Sequence, residues 1–283
     1  VRTAVVTAVR GRTGHLRKQL DGLDRSTSVA DRHVIVAVDD DTVAGQVQDA
    51  RVTVVPLNSD SPRIPMAAAR NLGARVAIDD GADLLVFLDV DCIPSPDLLG
   101  YYQRAAGTPA HEEALLCGPV TYLPAPGPGG YDLARLAELT DPHPVRPAPP
   151  AGMTVAGDEY HLFWSLSFAV TVAVWQRIGG FSTDYVGYGG EDTDYAQLAA
   201  AADVGLRWVG GAHAYHQFHP VSDPPTEHLA DIVANAITFH RRWGWWPMKG
   251  WLDAFELQGL ITRDLHGTPR VVDWAPVGGP HVV

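Results

Sequence analysis

The run Leu84-Leu85-Val86-Phe87-Leu88 ends in Asp89-Val90-Asp91, and no other stretch constrains the chain as tightly. A continuous apolar run of this length reads as a parallel strand buried on both faces. In open α/β sheets, ligands bind outside the carboxyl ends of such strands. Asp89 and Asp91 are therefore expected where a ligand sits. Alternation along an extended chain would turn both carboxylates to one side. Two hard oxygen donors on one side suit a divalent cation carrying a phosphate ligand.

Neighbouring segments extend the pattern. Residues 3–9, 33–38 and 52–56 read as strands, and 15–23 and 65–78 as helices. This strand–helix alternation marks an α/β domain. Residues 124–130 and 142–152 are rich in proline and glycine and frame a short helix expected near 131–139, the composition of a loop or lid. Residues 166–174 resume strand character.

A glycine-rich stretch, Gly179 to Gly190, then runs into Glu191-Asp192-Thr193-Asp194 and an alanine-rich helix. Glycines let a backbone approach a ligand closely, and acidic residues in a first helical turn are favoured by the macrodipole. Past a strand at 206–209 lie His213, His216 and His219, three imidazoles in seven residues. His213 and His216 share a side if this segment is a turn or helix, so they are the expected metal pair. A helix over 227–243 and the cluster Trp243, Trp245, Trp246 and Trp251 close the chain.

Asp89-Val90-Asp91, Gly187-Tyr188-Gly189-Gly190-Glu191-Asp192 and the following histidines resemble the motifs of inverting glycosyltransferases of GT-A fold. More narrowly, the chain is similar to the β-1,4-galactosyltransferases and their bacterial relatives in the family-2 superfamily. Val9-Arg10-Gly11-Arg12-Thr13-Gly14-His15-Leu16 resembles that family's nucleotide-holding segment. Ala69-Arg70-Asn71-Leu72-Gly73 resembles the helix that precedes the Asp-X-Asp strand. The ordered combination covers roughly residues 1–220.

The resemblance implies a Rossmann-like, mixed but mainly parallel sheet flanked by helices, with a helical C-terminal appendage. It implies a domain over 1–222, made of a nucleotide-sugar half (1–120), a loop or lid (121–165) and an acceptor half (166–222), followed by the appendage over 223–283. It places Val9, Arg10, Arg12, Asp39, Arg70, Asp89, Tyr188 and Gly190 on the donor side. Asp91 and His216 are the implied ligands of Mn²⁺ (or Mg²⁺), and His213 stands where the family has a methionine ligand. Tyr188 replaces the family's tryptophan. Asp192 is the implied catalytic base with Glu191 beside it, expected to be an unpaired carboxylate of ordinary pKa, ~4.

The implied reaction moves a hexose or N-acetylhexosamine from a UDP-sugar to a hydroxyl of a glycan, glycoside or lipid-linked acceptor, with inversion. A non-catalytic carbohydrate-binding protein and a glycoside hydrolase are the alternatives, the latter because it too uses paired carboxylates. The net charge of −12 disfavours a nucleic-acid partner, whose phosphates demand a basic surface. Two cysteines, Cys92 and Cys117, give no disulfide framework, and no apolar run reaches the ~20 residues of a membrane span. A cytoplasmic enzyme is the expectation.

Overall fold

The structure is a computed structural model that describes residues 1–47, 49–59 and 61–272, so the last part of the expected appendage, 273–283, lies outside the described residues. Four apolar runs form one contiguous parallel block of the sheet: β1 (Thr3–Val9), β2 (Arg32–Val38), β3 (Val52–Leu57) and β4 (Leu84–Leu88). The other strands of this part of the chain are β5 (Cys92–Pro94), β6 (Ala114–Cys117), β7 (Val120–Tyr122), β8 (Thr154–Gly157), β9 (Ser167–Thr171), β10 (Gly205–Val209) and β11 (Ala214–His216). The main sheet has eight strands in the order β3-β2-β1-β4-β9-β6-β10-β8. It is mixed: β6 and β10 form a second parallel pair, β9 is antiparallel to both β4 and β6, and β8 is antiparallel to β10. A small second sheet runs β5-β11-β7.

Alternation along the strands feeds two cores. Ala4, Val6, Val34 and Val36 pack with the small face of α2 (Met66–Asp79), built from Ala67, Ala74 and Ala77. That helix lies close to the sheet because Gly73 carries no side chain; a Cβ there would stand 2.4 Å from Val6 Cγ1. Val9, Ile35 and Ala37 point the other way, onto Leu16 of α1 (Thr13–Asp24). The remaining helices of this region are α3 (Leu98–Ala106), α4 (Val172–Ile178) and α5 (Glu191–Ala201).

Two expectations are corrected. The apolar stretch 166–174 is not one strand: Thr171 Oγ1 accepts from Val174 N, an N-cap that turns the chain into α4. Near 131–139 only a 3₁₀ turn, Leu136–Leu139, forms, since the proline-flanked segment is too short to propagate a helix.

The chain forms two compact units. The first comprises Val1–Thr183 and Glu191–His219, and the second Asp184–Gly190 with Pro220–Val283. The second unit contains α6 (Leu229–Trp243), α7 (Lys249–Leu257) and the hairpin β12 (Ile261–Arg263) and β13 (Pro269–Val271). Ile232, Val233 and Ala236 pack there against Leu252, Phe255 and Ile261. Sequence reading draws its boundary after residue 222 and leaves Asp184–Gly190 with the first part. Among the described residues, no helix is long and apolar enough to cross a membrane.

Candidate active site and metal centre

The parallel strands end where the carboxylates begin. β4 stops at Leu88, and Cys92 N donates to Asp89 O at 2.8 Å, closing a turn over Asp89–Cys92. Strand alternation therefore does not set the directions of the two side chains. Asp89 turns to Arg70, whose Nη2 donates at 2.9 Å. Asp91, only 6% exposed, turns to Arg12, His216 and His219.

Sheet pairing brings the imidazoles to the turn. β11 lies between β5 and β7, with His216 opposite Cys92, and Gln217 N donates to Asp91 O at 2.7 Å. His216 Nε2 stands 3.4 Å from Asp91 Oδ1, and His219 Nε2 stands 3.6 Å from Oδ2. One ligand atom from each of Asp91, His216 and His219 falls within 4.8 Å of the others. A carboxylate with two imidazoles fits a first-row metal such as Mn²⁺ better than Mg²⁺, which favours oxygen donors and retained waters.

His213 is not in this group. Residues 214–216 are extended rather than helical, so the expected shared side with His216 does not arise. His213 Nε2 instead lies 2.8 Å from Thr121 Oγ1, and burial lowers its pKa to about 4. His219 takes the third place.

A buried guanidinium joins the Asp-X-Asp turn to the acidic helix start. Arg70, 4% exposed, donates from Nη2 to Asp89 and from Nη1 to Glu191 Oε1 at 3.1 Å. Burial works against its charge, but Asp89 and Glu191 more than offset this and raise its pKa. Asp89 is raised in turn, chiefly by burial, with Arg70 opposing. The adjacent Asn71 clamps Phe181: its Nδ2 donates to Phe181 O at 2.8 Å and its Oδ1 accepts from Phe181 N at 2.9 Å. A Cβ on Gly180, whose φ is +81°, would meet Asn71 Oδ1 at 2.9 Å. Phe181 then stacks on Tyr195 of α5 at 4.3 Å, which anchors that helix.

Glu191 and Asp192 open α5. Glu191 Oε2 is buried and has no hydrogen-bond partner among the described residues. Asp192 Oδ1 accepts from Thr193 N at 2.7 Å. Burial first, and the Glu191 charge second, push the Asp192 carboxyl up to about 7. The expected ordinary value near ~4 is thus corrected by desolvation.

At the ends of β1 and β2, Arg10 Nη2 stands 3.3 Å from Asp39 Oδ2 and its Nη1 donates to Pro62 O at 2.8 Å. Asp39 Oδ1 accepts from Ser59 N at 2.7 Å. Val9, the last residue of β1, is buried. Tyr188 and Gly190 belong to the second unit. There Asn235 Nδ2 donates to the carbonyls of Val186, Tyr188 and Gly189, and Tyr188 stacks on His228 at 4.4 Å.

Comparison with known proteins gives likeness at several depths. Residues 156–220, which include Glu191, Asp192 and all three histidines, match the model of the N-terminal domain of galactosyltransferase. Validoxylamine A glucosyltransferase of Streptomyces hygroscopicus subsp. jinggangensis (strain 5008) is 29% identical over 214 residues, which are 68% of this chain and 49% of that protein. The chain thus spans about half the length of the curated relatives it matches. The mannosyltransferase PcManGT from Pyrobaculum calidifontis, solved with GDP-Man and Mn²⁺, superposes with a TM-score of 0.54 at 17% identity, covering 89% of this chain and 68% of the other. GalNAc-T7, solved with UDP, GalNAc and Mn²⁺, gives 0.56 at 10% identity, covering 92% and 57%.

The fold is the GT-A fold. The relatives and the family match together support a glycosyltransferase. Within the GT-A frame, sequence reasoning missed the parts played by His219, Gln217 and Asn71. His219 was visible as the third imidazole of the run, and only an assumed turn or helix spacing displaced it. Gln217 and Asn71 act through backbone atoms of distant residues, for which a sequence carries no local signal.

Proposed function

We propose that this chain catalyses metal-dependent glycosyl transfer from a UDP-sugar, a hexose or N-acetylhexosamine, to an acceptor hydroxyl with inversion. The observation that carries this reading is the meeting of two groups of side chains. Asp91, His216 and His219 form a metal-ligand set, and Arg70 ties the neighbouring Asp89 to Glu191 beside Asp192. The Mn²⁺ and UDP named in the structural neighbours support it.

Asp91, His216 and His219 would hold Mn²⁺, which when bound neutralises charge on the departing diphosphate. Arg10 and Asp39, with Val9, receive the uridine side of the donor. Arg12, already paired with Asp91, offers its guanidinium to the diphosphate. Arg70 holds Asp89 and Glu191 in place, and the open Glu191 Oε2 accepts a hydrogen bond from a sugar hydroxyl.

Asp192 is the base. With a pKa of about 7 it is ionised in a good part of the molecules at neutral pH and still basic enough to take a hydroxyl proton. The acceptor oxygen attacks the anomeric carbon from the face opposite the diphosphate, its proton passes to Asp192, and the bonding pair leaves with UDP. A glycan, glycoside or lipid-linked acceptor each supplies such a hydroxyl. The cytoplasm is the compartment proposed for this reaction.

Asp192→Asn tests the assignment, because it keeps the shape and removes the base. Donor affinity should stay within about threefold, while turnover falls roughly 10²–10⁴-fold. In the parent, the ionised form is the active one, so the rate should rise with pH through about 7 and level off above it. That limb should vanish in the variant. Near-parental turnover by Asp192→Asn would remove Asp192 from the chemistry.

A further inference from the structure

A cavity of about 310 Å³ lies at the opposite ends of the parallel strands from the carboxylate turn. Val5, His33 and Val52 line it, and they are register partners near the amino ends of β1, β2 and β3. The carboxylate turn and Asp39 follow the carboxyl ends of the same sheet. Leu20, Leu23 and Leu99 complete apolar walls. The rim carries both signs, with Arg17 and Arg51 against Asp21, Asp24 and Asp49, so neither an anion nor a cation is favoured.

His33 is the polar group of the interior, 5% exposed. Its bonding is set by a chain that starts at the Asp-X-Asp turn. Gln19 Nε2 donates to Asp89 O at 2.6 Å and to Cys92 O at 3.2 Å. Gln19 Oε1 therefore faces Thr7, whose hydroxyl donates to it at 2.9 Å. Having given its proton to Gln19, Thr7 Oγ1 accepts from His33 Nε2, 3.0 Å away. That leaves Nδ1 of His33 as the acceptor nitrogen of the ring. Burial lowers the His33 pKa to about 4, against the pull of Asp49, so the ring is neutral at pH 7 and Nδ1 keeps its lone pair.

We infer that this cavity is a ligand site for a small neutral molecule with an apolar body and one O–H or N–H donor, which bonds His33 Nδ1. Because the chain His33–Thr7–Gln19 ends on the carbonyls of Asp89 and Cys92, occupancy is linked to the turn that carries Asp91. That link rests on the metal reading of Asp91; the site itself does not. Hydrogen bonds in such a chain polarise one another, which gives the link a physical carrier.

Phenol is the probe, with toluene as the analogue that lacks the donor. In ¹⁵N-histidine-labelled protein, phenol should shift the His33 Nδ1 resonance saturably, with a Kd on the order of 1 mM. Toluene should bind at least about tenfold more weakly, since it takes the place of solvent beside Nδ1 without offering it a donor. Val29 lines the cavity and is 58% exposed, so Val29→Trp can plug the mouth without repacking the core. It should abolish the shift. A phenol titration that leaves His33 unmoved, equal binding of toluene, or undiminished binding by Val29→Trp would each overturn the site. Mn²⁺ affinity with and without saturating phenol tests the link, and should change by about fivefold or more. An unchanged affinity overturns the link. A chain that binds no Mn²⁺ overturns the metal reading and the link with it, and leaves the phenol result standing.

Discussion

Arg70→Met removes a cation that two inward-facing carboxylates share. Asp89 and Glu191 have side chains 22% and 13% exposed, and Arg70 is the guanidinium that bonds both. Taking away one partner of a buried ion pair costs about 3–5 kcal/mol, because it leaves uncompensated charge behind. At roughly 2–4 °C per kcal/mol for a chain of this size, the melting temperature should fall by roughly 6–20 °C. The sign of the pH dependence separates charge from packing. Without Arg70, the folded-state pKa of Asp89, already raised by burial, rises further above its unfolded value. The variant therefore regains stability as pH falls toward the unfolded carboxylate range, and loses it as pH rises through the new folded value. Thermal unfolding of parent and variant across about pH 5 to 8 reads both effects, about 5 lying just above the unfolded range. Asp89→Asn combined with Arg70→Met should recover part of the loss at neutral pH. A melting temperature within about 2 °C of the parent, or a deficit that does not change with pH, would refute the bridge as a charge-driven element.

The metal set makes a sharper distinction among the histidines. Asp91→Ala should abolish Mn²⁺-dependent UDP binding, and His216→Ala and His219→Ala should weaken it by about 10–100-fold or more, whereas His213→Ala should leave it within about threefold; calorimetry of each variant decides this. The proline- and glycine-rich stretch 124–152 is expected to close over bound donor and limit water access. Limited proteolysis should then cut it more slowly with UDP-sugar and Mn²⁺ present, and equal rates would count against a lid.

Much of this arrangement was legible in the chain. β1, β2, β4 and α2 declare themselves because both faces of the strands and the inner face of the helix are buried, and burial writes an apolar pattern directly into sequence. Arg70 and Asn71 were visible as a motif, but their partners are 121 and 110 residues away, so their work was not. The shared side expected of Asp89 and Asp91 assumed that the strand continued past Leu88, where the backbone turns instead. The strand expected at 166–174 followed its β-branched residues, and one Thr171 side-chain bond overrode that preference. Asp192 shows the widest gap, because its raised pKa comes from what surrounds it in space, of which only Glu191 is its neighbour in sequence.

The central claim is metal-dependent sugar transfer, and its most direct test is a panel of nucleotide sugars incubated with the protein, with Mn²⁺ or with chelator. At least one UDP-sugar should be cleaved only when Mn²⁺ is present, with the released or transferred sugar carrying the inverted anomeric configuration by ¹H NMR. Turnover that persists in chelator, retention at the anomeric carbon, or no cleavage of any UDP-sugar would contradict the account.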